Sequence, residues 1–221
     1  MKPPSDLSRR RLLAGATATT ALAGLVGCSG LVPGQRPPPA FYRLTPKSTF
    51  AENLPRAEWQ LILEPPVANA ALDTVRIALV RQPMEIEYYA RANWTDQAPA
   101  MVQTLMIESF ENSNRIVSIG RESLGLRADF VVKSELREFQ AEYLEPGAPR
   151  AHVTINVKMV QMPRREIVAN QSFTARAPAA SDRLPDVVEA FDVALGTCLR
   201  DLVEWTLKTG EQFYQSPGRA S

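Results

Sequence analysis

Little in this chain could do redox or metal chemistry. Its 221 residues hold one histidine, His152, and two cysteines, Cys28 and Cys198. A single histidine excludes a multi-histidine metal site. Two cysteines permit at most one intrachain disulfide, so the core itself must supply stability. No glycine-rich loop follows a strand and opens a helix, so nothing is built to cradle phosphate. No Gly-x-Ser-x-Gly elbow presents a nucleophile. Lys and Arg number 25 against 24 Asp and Glu, a balance without the basic face that nucleic-acid binding needs. A cofactor is not called for by any motif, and the residue chemistry predicts a non-enzyme.

What is present begins at the N-terminus. Arg9, Arg10 and Arg11 precede a Leu-, Ala-, Gly- and Thr-rich run that ends in Leu25-Val26-Gly27-Cys28. A basic start, a short apolar run and small residues before a cut site make a secretory signal over residues 1–27. The run is too short and too diluted by Thr17, Thr19 and Thr20 to span a bilayer. With Cys28 next, the segment resembles a bacterial lipoprotein signal, in which the cysteine thiol takes a diacylglyceryl group. The bland reading is an ordinary signal with a chance cysteine behind it. Ser8-Arg9-Arg10-Arg11-Leu12-Leu13 also resembles a twin-arginine export signal, although Leu12 and Ala14 replace the usual Phe and Lys. A general secretory signal fits the same arginines. Lipidation of Cys28 would leave Cys198 without an intrachain partner. Residues 28–40, rich in Pro and Gly, read as a tether. Its 12 residues after Cys28 reach roughly 37 Å at about 3.1 Å each. No polybasic run lies beside this anchor, so lipid must hold the membrane without electrostatic help.

The rest, residues 41–215, reads as one domain with a frayed tail at 216–221. Residues 59–63 and 76–80 are apolar strands, the first closed by Pro65-Pro66. Arg81-Gln82-Pro83 marks a tight turn. Residues 84–91 alternate, putting Met84, Ile86, Tyr88 and Ala90 on the core face and Glu85, Glu87, Tyr89 and Arg91 on the other. Thr95 or Asp96 can cap a helix with Pro99 in its first turn, and Ala98, Met101, Val102, Leu105, Met106 and Phe110 form its apolar stripe. Residues 115–119 make a short strand. Residues 127–143 make a long one, whose phase shifts at Phe139; that predicts a bulge near Glu138. Val153, Ile155, Val157 and Met159 point inward from the cleanest strand, and residues 167–175 make the last. A closing helix over residues 185–209 carries Leu184, Val188, Phe191, Leu195, Cys198, Leu199, Leu202 and Trp205 on one stripe. Ser181 or Asp182 would cap it, and Gly210 suits the position just past its end. Together these predict a two-layer α+β domain, a largely antiparallel sheet with two amphipathic helices on one face.

Candidate chemistry reduces to a few residues. His152 falls on the polar side of a regular strand, where a solvent-facing histidine is the default. Cys198 falls on an apolar stripe and reads as an inert core thiol. Glu85 and Glu87 mimic a carboxylate pair but share their face with Arg91, which would balance them. Met101 and Met106 read as core filler rather than a lipid groove. The stretch from Glu87 to Asp96 holds more Tyr, Trp and Arg than a surface strand needs, and these types are enriched where partners bind. Tyr88 and Trp94 read as anchors of helix to sheet, with Asp96 in the same motif. Tyr89 and Arg91 are the candidates for partner contact.

The Cys28 signal, Phe41-Tyr42-Arg43-Leu44, Tyr88-Tyr89-Ala90-Arg91, Trp94-Thr95-Asp96, Glu108-Ser109-Phe110 and the long closing helix together resemble the ABC-type transport auxiliary lipoproteins. The resemblance covers almost all of the chain after Cys28. It implies a non-enzymatic lipoprotein working beside a mammalian-cell-entry (MCE) domain protein, a membrane permease and an ATPase. Such systems move lipids between the two membranes of a Gram-negative envelope. Ser29 is not the Asp associated with inner-membrane retention, which favours the outer membrane over the inner. The implied role is docking in the periplasm, through the N-terminal lipid and compatible with a homo-oligomer. The rival is a carrier that holds a lipid itself, and it requires a cavity between helices and sheet.

Overall fold

A computed structural model describes residues 38–121, 127–144 and 146–216. The signal, Cys28, most of the tether and most of the tail lie outside them. The strands are β1 (Ala40–Tyr42), β2 (Leu61–Leu63), β3 (Val67–Ala68), β4 (Arg76–Val80), β5 (Glu87–Trp94), β6 (Ile119–Gly120), β7 (Phe130–Glu142), β8 (Arg150–Gln161) and β9 (Glu166–Pro178). The helices are α1 (Ala98–Ser113) and α2 (Leu184–Tyr214).

Strand β7 is the spine. Along one edge it carries β8 in an antiparallel ladder from Phe130 opposite Gln161 to Glu142 opposite Arg150, and β9 continues that meander. Along the other edge run β2, β3 and β4 in succession, all parallel to β7. They are successive segments of chain: Pro65 and Pro66, which cannot donate to a ladder, separate β2 from β3, and a turn after Asn69 separates β3 from β4. Beyond them, β6 pairs parallel with β2, β5 antiparallel with β4, and β1 parallel with β5.

The sheet is therefore mixed: the long β7–β8–β9 ladders are antiparallel, and the short ladders of β7 with β2, β3 and β4 are parallel. Helix α1 is the reason: it carries the chain back from β5, so that β6 and β7 start again in the direction of β2. A period-two pattern records which face a residue occupies and is silent about strand direction.

Alternation along β7 buries Phe130, Val132, Ser134 and Leu136, then Phe139 and Ala141. The register shift falls between Leu136 and Glu138, which leaves Arg137 as the extra residue where the phase change placed a bulge. Val153, Ile155, Val157 and Met159 of β8 are fully buried. All six stripe residues of α1 are buried against the same core. A smaller cluster of Ile62, Val131 and Val160 forms out of phase with that core, on the opposite side of the sheet by alternation.

Several local expectations change. Helix α1 has Gln97 as its N-cap with no side-chain cap; Asp96 Oδ1 instead accepts the Gln97 amide at 2.7 Å, one residue short of a capping geometry. Helix α2 has Arg183 as its N-cap, again with no side-chain cap. The Ser181 hydroxyl accepts the Arg183 amide and donates to the Asp186 carboxylate, which ties it up outside the helix. The helix also runs past Gly210 to Tyr214. Gly210 is buried inside it, because Trp59 needs the space that a side chain would take. The strand expected at residues 115–119 shrinks to β6 and an isolated bridge from Ile116 to Ala57.

Residues 43–58, unassigned by periodicity, form a strap against both helices. The Thr45 amide and hydroxyl donate to Asp192, the latter at 2.8 Å to Oδ2, and the Ala51 amide donates to Glu204 Oε1 at 2.9 Å, both on α2. The Lys47 amide donates to Ser109 Oγ at 2.9 Å and the Lys47 carbonyl accepts from Asn112, both on α1. Side chains of the two helices thus satisfy backbone groups that a coil segment would otherwise leave open.

Candidate functional site

The aromatic stretch of β5 lies at one end of the sheet. Its ladder with β4 is irregular: Ala78 faces Tyr88 while Arg76 already faces Asn93, so residues 89–92 bulge opposite Ile77. Arg91 makes that bulge with φ at 55°, a left-handed conformation uncommon for a side chain of its size. Its side chain is exposed.

This geometry corrects the face assignment over residues 84–91. Met84 is fully exposed and Ile86 is 41% exposed, so neither belongs to the core. Regular strand begins only at Glu87, and Met84 sits in the preceding turn with φ at 68°, where alternation has no meaning. The buried residues of β5 are Ala92 and Trp94, beyond the bulge.

Tyr88 and Tyr89 are both half-buried and pack on the core margin. The Tyr88 hydroxyl donates to the Ala71 carbonyl at 3.1 Å, and the Arg76 guanidinium lies 3.6 Å from its ring centre. Tyr89 is thus not the open contact residue that strict alternation implied. Its hydroxyl is 2.8 Å from that of Tyr143. Burial, and secondarily the bond to Tyr143, push the Tyr89 phenol well above the usual range, so it stays protonated. Arg81 lies 5.3 Å from the Tyr143 ring centre and pairs with Glu87 at 2.7 Å. The partner of Glu87 is therefore Arg81, not Arg91, because the turn folds Arg81 back onto it.

Trp94 is fully buried, with ring centres of Phe191 at 5.2 Å and Phe139 at 5.5 Å. Phe139 and Phe191 also lie 5.2 Å apart, so one aromatic triad ties β5, β7 and α2 together. Among the described residues the buried Trp94 Nε1 has no acceptor. Trp94 thus packs on α2 as well as on β7. Asp96 is exposed and lines an open cleft of about 410 Å³ with Arg43, Thr45, Met101, Thr104 and Glu108. A second open cleft of about 440 Å³ shares Thr104 and Glu108 and reaches Arg121. Both clefts involve α1 and its flanking segments. The space between α2 and the sheet is filled by side chains such as Phe191, Leu195, Leu199 and Leu202, all at 0% exposure.

His152 is not solvent-facing. It is 5% exposed, since β8 is flanked on both sides by long strands whose side chains close over it. Its Nδ1 lies 2.6 Å from Glu142 Oε1, and Arg176 Nε lies 3.5 Å from the other carboxylate oxygen. Polar residues on three adjacent strands satisfy one another here. Cys198 is a buried core thiol, with Sγ 3.7 Å from the carbonyls of Val153 and Phe173. Burial pushes its pKa up to about 12, so the thiol stays protonated at neutral pH. Trp205 is only half-buried and stacks edge-on to Phe173 at 5.7 Å. Among the described residues no group of three or more His, Cys, Asp or Glu could hold a metal ion. Nor is any helix among them long and apolar enough to cross a membrane.

Comparison with known proteins gives one family model. The family described as ABC-type transport auxiliary lipoprotein component matches residues 42–203. The crystal structure of protein XCC0632 from Xanthomonas campestris superposes with a TM-score of 0.77 at 30% identity, covering 80% of this chain and 99% of that one. A second solved structure, of an uncharacterized protein, has a TM-score of 0.59 at 9% identity over 76% of this chain and 97% of that one; it shares the fold alone. The protein bll6063 of Bradyrhizobium diazoefficiens, itself uncharacterized, is 26% identical over 152 residues. That match takes in 66% of this chain but only 39% of the relative's length.

Proposed function

The chain belongs to the ABC-type transport auxiliary lipoprotein component family, and we propose from that membership that it is the lipid-anchored docking subunit of an envelope lipid-transport system. The anchor is Cys28, acylated after removal of residues 1–27. The domain then stands in the periplasm on a tether, more readily at the outer membrane, given Ser29 after the anchor. Its partners are an MCE-domain protein and, through it, a permease and an ATPase that supply transport energy. Arg91, exposed and held in a left-handed bulge, is the contact residue the surface best supports, with Tyr89 behind it.

The family match across the folded domain carries this reading, and the Leu25-Val26-Gly27-Cys28 motif gives it an address. No constellation for catalysis competes with it among the described residues. The filled interior beneath α2 favours docking over lipid carriage. Replacing Cys28 by Ala tests the anchor. The variant should fold, and should leave the membrane fraction, because two or three acyl chains supply the attachment. If Cys28→Ala stays with membranes through a high-salt wash, lipid is not what holds the protein there.

A further inference from the structure

The direction in which the chain enters the domain is set by β1. It pairs parallel to β5, with Ala40 opposite Ala92 and Tyr42 opposite Trp94. Traced backward from Ala40, the chain thus heads toward the start of β5 at Glu87. Immediately before Glu87 lies the turn of residues 81–86. Tyr143 and Leu144, which follow β7, are its neighbours, since Val80 pairs with Glu142 and accepts the Tyr143 amide at 2.8 Å. The chain thus enters β1 running from the direction of the sheet end that carries this turn and the residues after β7.

That end is apolar at its crest. Met84 is fully exposed, Leu144 is 50% exposed and Ile86 is 41% exposed. Pro83 and Pro146 beside them are exposed and carry no amide to solvate. Met84 holds a left-handed backbone that glycine would adopt without strain, yet a long apolar side chain stands there. Arg81 and Glu87 neutralise each other at 2.7 Å, and Glu85 is exposed and able to stay at headgroup level.

We propose that this end of the domain rests on the phospholipid leaflet that holds the Cys28 acyl chains, with Met84, Ile86 and Leu144 entering the boundary between headgroups and acyl chains. The proposal rests on the lipid-anchor reading above. A tether reaching roughly 37 Å sets the distance from the membrane but leaves the domain free to tumble. A small apolar crest orients it, because an anchored domain meets the leaflet at a high effective concentration and even a weak contact is populated. The β8–β9 turn, residues 162–165, then points away from the lipid.

The test uses the full-length lipidated protein in vesicles of phosphatidylethanolamine and phosphatidylglycerol. An environment-sensitive fluorophore is placed at Met84→Cys or, at the far end, at Glu166→Cys. Both positions are exposed, so the fold tolerates them, and buried Cys198 does not compete for the label. Lipids carrying a nitroxide on the acyl chain should quench the label at 84 several-fold more than the label at 166. Equal, weak quenching at both sites in protein that floats with the vesicles overturns the orientation and leaves the anchor standing. A label at 84 shielded from aqueous iodide but untouched by nitroxide lipid overturns it in favour of a protein occupant. Protein that fails to float with the vesicles removes the anchor reading, and this proposal with it.

Discussion

The indole of Trp59 occupies the space that a side chain at Gly210 would fill: a β-carbon there would lie 2.2 Å from Trp59 Cζ2. Trp59 also donates from Nε1 to Glu211 at 3.3 Å and meets Phe130 edge-on at 5.2 Å. One residue thus fastens the last turns of α2 to the start of the sheet.

Gly210→Ala sets two effects against each other. Helix propensity favours alanine by about 1 kcal/mol. Overpacking against a rigid ring costs about 1–3 kcal/mol, and a contact this short belongs at the upper end. We expect a net loss of stability in denaturant unfolding. In a Trp59→Leu background the same change should become neutral or favourable. A rise in melting temperature for the single variant would show that the indole moves aside freely.

Phe191 and Trp205 lie on the same helix but differ in burial. Phe191→Ala should cost about 3–5 kcal/mol, as it opens a cavity in the aromatic triad. Trp205→Ala should cost about 1–2 kcal/mol, for part of a ring's burial and one edge-on contact. Equal losses from the two would mean that Trp205 is more deeply covered than its half-burial implies.

Cys198 gives a dependence on pH of predictable sign. Its folded pKa is raised to about 12 from an ordinary 9.0, chiefly by burial. The unfolded chain therefore loses this proton first. Stability linked to the thiol is complete below the lower value and is lost as pH rises through the upper one. Cys198→Ala should flatten the fall in unfolding free energy between about pH 9 and about pH 12. Parallel curves for the two proteins would contradict the burial assigned to the thiol.

Arg91 and Tyr89 need separate tests, since one is exposed and the other half-buried. Arg91→Ala should leave stability within about 0.5 kcal/mol and, under the proposed docking role, weaken recovery of an MCE-domain protein from envelope extracts. Tyr89→Phe removes only the hydroxyl paired with Tyr143 and should cost about 0.5–1.5 kcal/mol. Full partner recovery by a well-folded Arg91→Ala protein would exclude this bulge as the docking contact.

Much of the fold was legible where local rules act alone. The stripe of α1 and the inward set of β8 follow from side-chain periodicity, and the structure buries those residues; the phase change at Phe139 pointed to a bulge near Glu138, and Arg137 is the extra residue. Periodicity misled over residues 84–91 because a turn precedes Glu87 and a bulge follows Tyr89, and each resets the alternation. It was silent over residues 43–58, where irregular backbone is satisfied by carboxylates and hydroxyls distant in sequence.

The address motif, the family resemblance and the burial pattern of the long elements reside in the sequence itself, since each depends on neighbouring residues. Strand direction, the packing role of Gly210, the burial of His152 and the open position of Arg91 depend on what lies across the sheet or helix. Those neighbours are brought together only when the chain closes on itself: Trp59 onto Gly210, Glu142 onto His152, and β4 against the bulge that exposes Arg91.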